Sequence, residues 1–291
     1  MIGGPPGRFT RVTDTAIRRP TTRVRVRALD AGRVIERPDK LVTEEPMEIR
    51  VHGPGQRPEA LAVAMRTPGA DFELAVGFCV TERILGSAED LAGVAYCVED
   101  GEQRFNVVTV RTLGPVDLDV HRRNFMANAS CGLCGKAALD QVAIECAPVP
   151  VDGMRVRAST ILRMPDRLRD TQRVFDMTGG LHAAALFDAD GELQVVREDV
   201  GRHNALDKLV GRAAIDDRLP LAETVLLVSG RVSFEIVQKA AIAGIPVVCA
   251  VSAPSSLAVD AATRFGLTVV GFVRPERCNV YSVEERIDLD G

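Results

Sequence analysis

Between residues 224 and 273 the chain alternates short apolar runs with helical segments, joined by connections of only a few residues. A run such as Thr-Val-Leu-Leu-Val at 224–228 presents no polar face, so a strand made from it has to be covered on both sides. Helices following the strands supply that cover, which is the pattern of parallel strands inside an α/β unit. The runs at 246–250 and 267–273 repeat it, with helices expected over 202–213, 233–243 and 255–265. Upstream, 182–187 and 193–197 straddle Asp188-Ala189-Asp190-Gly191 and read as a hairpin. The expectation is a three-layered C-terminal α/β domain.

The first half follows other periods. Residues 22–29 alternate Val24, Val26 and Ala28 with Arg23, Arg25 and Arg27, as a half-buried strand does. Strand signals recur at 47–52 and 61–66, and a helical pattern runs from Asp71 through Leu85 until Gly86 stops it. Segments 94–98 and 104–111 flank Glu99-Asp100-Gly101, a hairpin turn. These signals describe a smaller N-terminal α+β domain over 22–113 with an antiparallel sheet, preceded by a basic arm at 1–21. Residues 114–130 are polar and lack either period, so they read as a linker. The C-terminal domain then spans 131–291 and opens with a helix over 131–146.

Composition narrows the function. Hydrophobic residues make up 46% of the chain and charged residues 26%, which suits a soluble globular enzyme. Aromatics are only 4%, with no Trp, too few for a stacking platform, and no nucleic-acid partner is expected. The chain carries −4 overall, yet residues 1–37 hold nine Arg against Asp14, Asp30 and Glu36, an excess of +6 that leaves −10 for the rest. Such a front either meets phosphate or an acidic partner or is a solvated arm. Residues 1–20 contain no apolar run of signal or membrane length, and Arg18-Arg19 is followed by Pro20, Thr21 and Thr22 where a secretion signal has its apolar core. A cytoplasmic protein without membrane association is the expectation.

Seven cysteines, an odd number in a chain without a secretion signal, make a disulfide framework a poor explanation. Cys79, Cys97, Cys146, Cys249 and Cys278 sit alone in sequence, as small buried hydrophobes do. Cys131 and Cys134, in SCGLCGK, are different. Two thiols at the start of a helix lie near unpaired N–H groups and the positive end of the dipole, which favours thiolate. Cysteine pKa values in such places fall from about 8.5 into roughly the 3.5–7.5 range. Gly132 and Gly135 leave the sulfurs uncovered, and Lys136 adds positive charge.

The spacing alone does not choose a chemistry. A zinc site takes about four ligands, and Cys146 with His182 or His203 would have to complete it in space. A thiol–disulfide oxidoreductase of thioredoxin type places its Cys-x-x-Cys after a core strand, whereas this pair follows polar 124–130. The pair is also compatible with two structural cysteines, or with a persulfide carrier that needs one accessible thiolate and a reducing cytosol.

Ligands of open α/β sheets gather beyond the carboxyl ends of the strands, where helix N-termini offer N–H groups to anions. Here those ends are Ser229-Gly230-Arg231-Val232-Ser233, Ser252-Ala253-Pro254-Ser255-Ser256 and Arg274-Pro275-Glu276-Arg277. Ser229, Arg231, Arg274 and Arg277 favour a phosphorylated ligand, because guanidinium forks match phosphate. Ser233 and Ser255 serve equally well as N-caps. The segment from Arg197 to Lys208 packs hydrogen-bonding side chains around Gly201 and reads as a further binding region, and Thr178-Gly179-Gly180-Leu181-His182 brings a histidine to a strand start.

Taken in order, SCGLCGK, TGGLHAAAL, EDVGRHNALDKLVG, SGRVSFEIVQKA, SAPSSLAV and GFVRPERCNVYS resemble the formate dehydrogenase accessory sulfurtransferase family, usually called FdhD. The resemblance covers about half the chain, from Ser130 to Ser282. It implies a homodimer whose C-terminal domain is similar to the cytidine deaminase fold. The deaminase metal motif itself is missing: none of His52, His121, His182 or His203 is followed two residues on by Glu, and no permanent metal is expected. The resemblance further implies that a cysteine desulfurase loads sulfur onto Cys131, with Cys134 in support. The sulfur would pass to molybdenum bis(molybdopterin guanine dinucleotide) before that cofactor enters formate dehydrogenase. The family's cofactor-contacting stretch falls on Phe272, Val273, Arg274, Pro275, Glu276 and Arg277. Family members usually carry glycine where Pro275 stands, and a bulky apolar residue where Cys278 stands. Pro275 has no N–H to donate, so contact is expected through Arg274 or Arg277. A cofactor-binding chaperone that delivers without sulfuration fits the same residues.

Overall fold

The computed structural model describes residues 19–99, 102–118, 148–150 and 153–289. Its first element is a hairpin of β1 (Thr21–Asp30) and β2 (Arg33–Val42), which form a two-stranded sheet of their own. The alternating pattern marks β1; β2 carries Pro38 and mixed charges with no clean period and gives no strand signal. Pro38 is tolerated because no third strand requires its N–H. The hairpin leaves Leu29 and Val34 mostly exposed and is anchored near its base, where Lys40 meets Met177 and Val42 lies against Gly180.

Strands β3 (Glu45–His52), β4 (Glu59–Arg66), β5 (Leu91–Glu99) and β6 (Glu102–Thr112) form a second sheet in the order β4-β3-β6-β5. The pairs β3–β4 and β5–β6 are antiparallel, but β3 and β6 run parallel, which corrects the expected antiparallel sheet. The reason is α1 (Asp71–Thr81): the crossover it makes between the two hairpins brings the second back beside the first in parallel sense. The helix is shorter than its period indicates, because Arg83 turns left-handed (φ 60°) and the N–H groups of Ile84 and Leu85 close on the carbonyl of Cys79.

Helix α1 is apolar on nearly every side, and a helix of that kind has to be buried on more than one. One side packs on Met47, Ile49, Val108 and Val110 of the sheet. The other packs on α4 (Arg202–Ile215), after β7 (Val156–Arg157), α2 (Ala158–Arg169), α3 (Arg173–Thr178), β8 (His182–Phe187) and β9 (Leu193–Asp199) have been laid down. At the crossing of α1 and α4 the backbones touch: a Cβ on Gly77 would lie 1.8 Å from the carbonyl oxygen of Asp207, and one on Gly211 1.8 Å from that of Glu73. Two glycines are what allow this approach, and a single hydrophobic cluster runs from the N-terminal sheet into the C-terminal half.

The remaining elements are β10 (Val225–Val228), α5 (Phe234–Ile242), β11 (Val247–Ala250), α6 (Ser256–Phe265), β12 (Thr268–Arg274), β13 (Arg277–Ser282) and β14 (Ile287–Asp288), the last pairing with β7. The main sheet has the order β13-β12-β11-β10-β8-β9. Only β10, β11 and β12 are mutually parallel; β8, β9 and β13 run antiparallel to their neighbours. Alternate residues of the apolar strands face opposite ways. Leu226, Val248 and Val269 pack with α4, α5 and α6, while Leu227, Cys249 and Val270 pack with Ile161, Met164 and Leu168 of α2. The C-terminal half therefore has the three layers its sequence pattern calls for. Helix α2 escapes the sequence reading because Pro165 interrupts it, yet its buried positions keep the helical spacing. No helix of the described residues is long and apolar enough to cross a membrane.

Candidate functional site

Antiparallel β8 starts where parallel β10 ends, so the carboxyl ends of β10, β11 and β12 share one edge with His182 and with the first turn of α4. The loops there are hydrogen-bonded in series. Val232 donates its N–H to the carbonyl of Ala253 (3.2 Å), Ser255 donates to Val232 (3.0 Å), and Phe272 donates to Ser252 (3.1 Å). Gly271 admits no side chain, since a Cβ would meet Pro254 Cδ at 2.9 Å.

The expected phosphate-binding residues lie along this edge in different settings. Ser229 Oγ accepts the N–H of Ala183 at 2.9 Å, and Arg231 is exposed. Phe272 is held at φ 52°, a conformation costly for an aromatic residue, and the residue is 42% exposed. Val273 is buried in the core beneath the sheet. Arg274 donates from Nη1 to the carbonyls of Val251 (2.7 Å) and Val273 (2.8 Å), which leaves its other N–H groups for a ligand. Pro275 and Glu276 form the exposed turn between β12 and β13, with Arg274 paired to Arg277 across it. The pre-set φ of proline suits this corner, where no N–H is called on by the ladder. The segment read as a loop is thus a β-hairpin, and Arg277 is exposed on it.

The two serines at helix starts part company. Ser255 caps α6, its Oγ accepting from Ala258 N–H at 3.2 Å. Ser233 does not cap α5; its Oγ lies 3.2 Å from Nε2 of His203, which also contacts Glu235 Oε2 at 2.8 Å. Glu235, which sequence reasoning missed, is signalled only as an acid in the first turn of a helix. The hydrogen bond from His203 is the main cause holding its carboxyl below the usual range, against the opposing effect of burial. His182 stands beside Gly230. Burial, then the charges of Arg202 and His203, push its pKa down, with Asp199 acting weakly the other way.

The segment from Arg197 to Lys208 divides between two tasks. Arg202 and His203 face the strand-end edge, while the rest locks the two halves together. Asp199 takes Lys208 Nζ at 2.7 Å and the N–H groups of Thr67 and Gly201 at 3.1 and 2.9 Å. Asn204 donates to Asp199 and to the carbonyl of Met65. Asp207 belongs to a second buried lock, formed with Lys239 and Thr81. Glu198 caps α3 through the N–H of Phe175 at 3.1 Å, and burial raises its pKa. The density of polar side chains that marks this segment in sequence is mostly an internal fastening.

Cys131 and Cys134 lie outside the described residues, as do Cys146, most of the linker at 114–130 and the helix expected over 131–146. Of the described cysteines, Cys79 and Cys249 are fully buried, and that burial drives their thiols far up from the ordinary value; Cys278, half-buried, is raised in the same way. None of these three is a poised nucleophile. Among the described residues no group of His, Cys, Asp and Glu is arranged to hold a metal ion.

Comparison with known proteins sets this geometry beside relatives. The profile of the FdhD/NarQ family matches residues 42–288. A sulfur carrier protein FdhD of Streptomyces avermitilis is 55% identical over 279 residues, covering 93% of this chain and 97% of that protein. One from Mycolicibacterium paratuberculosis is 54% identical over 274 residues, covering 92% and 98%. A solved structure from Desulfotalea psychrophila, described as a putative formate dehydrogenase accessory protein, covers 93% of this chain and all of that one, with a TM-score of 0.73 at 24% identity, a likeness of fold.

Proposed function

This chain belongs to the FdhD/NarQ family, and from that membership we propose that it is a sulfur carrier serving formate dehydrogenase. The observation that carries the reading is identity above 50%, over more than nine-tenths of the chain, to proteins named sulfur carriers. To it the sequence adds SCGLCGK, whose first cysteine is the thiol such a carrier needs and whose second stands three residues on. The thiolate of Cys131 attacks the persulfide of a cysteine desulfurase: the bond from its sulfur to the terminal sulfur forms, the donor's sulfur–sulfur bond breaks, and the donor leaves as a thiolate. Cys134 supports this step or the release.

The acceptor is molybdenum bis(molybdopterin guanine dinucleotide), here a substrate rather than a resident cofactor. Its guanine nucleotide portions are held at the strand-end edge, where Ser229, Arg231, Phe272 and the hairpin from Arg274 to Arg277 lie. Arg231, Arg274 and Arg277 carry exposed guanidinium groups suited to a diphosphate. The working unit is a homodimer in the cytoplasm, and the likeness of its C-terminal half to cytidine deaminases is part of the same proposal. Activation of formate dehydrogenase in cells lacking the native protein tests the role. Cys131→Ala is expected to abolish activation while the purified variant keeps its fold and nucleotide binding. Full activation by that variant would contradict the proposal.

A further inference from the structure

We propose that phosphate binding at the strand-end edge is coupled to the uptake of a proton by His182, whose imidazolium then contacts the phosphate together with Arg202. The inference rests on the guanine-nucleotide reading above and adds a residue and a regulation to it.

His182 opens β8 with its ring half-buried against the Ser229–Arg231 loop. A Cβ on Gly230 would lie 3.3 Å from Nδ1 of His182 and 3.8 Å from Cδ of Arg202, so the bare backbone of that loop lies along both side chains. Neither ring nitrogen of His182 has a hydrogen-bond partner among the described residues. Arg202, the first residue of α4, has a buried Nε that is likewise unpartnered there. Unpaired buried donors are uncommon and call for an explanation. One such donor beside a half-buried imidazole without a partner there, next to a glycine loop and a helix start, points to a ligand that accepts hydrogen bonds.

Charge says which ligand. The groups facing His182 are Arg202 and His203 from α4 and Asp199 from β9. Asp199 is already spent on Lys208 at 2.7 Å and on backbone N–H groups, and Glu235 is engaged by His203 at 2.8 Å. Burial first, and then the neighbouring charges of Arg202 and His203, lower the proton affinity of the imidazole when the site is empty. A phosphate placed against Arg202 reverses that field and raises the proton affinity of His182. By linkage, a proton taken up on binding means that binding strengthens as pH falls.

Titration calorimetry of the full chain with GDP near neutral pH, in buffers of different ionisation enthalpy, counts the protons exchanged. Guanosine serves as the probe without phosphate. The expected result is net proton uptake with GDP and none with guanosine, and affinity for GDP that rises by up to about tenfold per pH unit on acidification. His182→Gln is expected to remove the uptake; the ionisation of GDP itself is common to both proteins and cancels in their difference. GDP binding without proton uptake by the unsubstituted protein, or uptake that persists in the folded variant, would overturn the inference and leave the nucleotide reading standing. Failure of GDP to bind at any pH would remove both.

Discussion

Lys239→Met should destabilise the protein severely, and the cost follows from the geometry. The ammonium of Lys239 is buried at the junction of α1, α4 and α5. It contacts Asp207 at 2.9 and 3.1 Å, Thr81 Oγ1 at 2.8 Å and Glu82 at 3.2 Å. Burial alone works against its charge, but Asp207 and Glu82 more than offset this and hold its pKa above the ordinary value. Methionine fills much of the space and removes the charge, leaving the Asp207 carboxylate, 3% exposed, with the Thr81 hydroxyl at 2.8 Å as its remaining side-chain donor. Breaking a buried pair in this way costs about 3–5 kcal/mol. At roughly 2 cal/mol/K of unfolding entropy per residue, a chain of 291 residues then loses about 5–8 °C in Tm. Thermal unfolding followed by circular dichroism measures the loss. The double variant with Asp207→Asn should recover a large part, because no uncompensated charge remains. A fall below about 1 °C for Lys239→Met would refute the reasoning. The same lock fixes α4 and α5, which carry Arg202, His203, Ser233 and Glu235 to the strand-end edge.

Gly77→Val places carbon into the carbonyl of Asp207 and forces α1 and α4 apart, so it should cost at least the 1–3 kcal/mol typical of overpacking and yield mostly insoluble protein; soluble protein with an unchanged Tm would speak against the close crossing. The pH dependence of stability follows from the downward shift of His182. The unfolded chain binds a proton near pH 6.5 that the folded, ligand-free chain resists, so stability falls as pH drops through that region. His182→Gln should flatten this component in thermal scans between about pH 7.5 and 5.5, and an unchanged profile would count against the environment described for the ring.

Much of this architecture is legible in the sequence because the apolar runs of β10, β11 and β12 leave a strand no choice but burial on both faces. What escapes has physical causes. The parallel pairing of β3 with β6 depends on where α1 returns the chain, which no local period records. Strand β2 is exposed and interrupted by Pro38, so it shows no hydrophobic alternation. Strand β13 hides because Pro275 and the charges around it look like a loop, although proline suits the corner of that hairpin. At the site, arginines and serines of the strand ends are conspicuous in sequence, but their partners are not. Asp199, Asn204, Asp207 and Lys208 resemble a binding motif until the structure pairs them with Met65, Thr67, Thr81 and Lys239, all distant in sequence. Glu235 becomes notable only when His203 is brought against it. The thiol pair is legible from its spacing and its glycines alone.

The central claim is that Cys131 carries sulfur. The most direct measurement is the intact mass of the protein after incubation with a cysteine desulfurase and cysteine, with peptide mapping to place any addition. The account predicts a gain of one sulfur atom on Cys131, reversed by a thiol reductant and absent from Cys131→Ala. A mass that never rises, or one that falls by two hydrogens as a disulfide forms between Cys131 and Cys134, would contradict it.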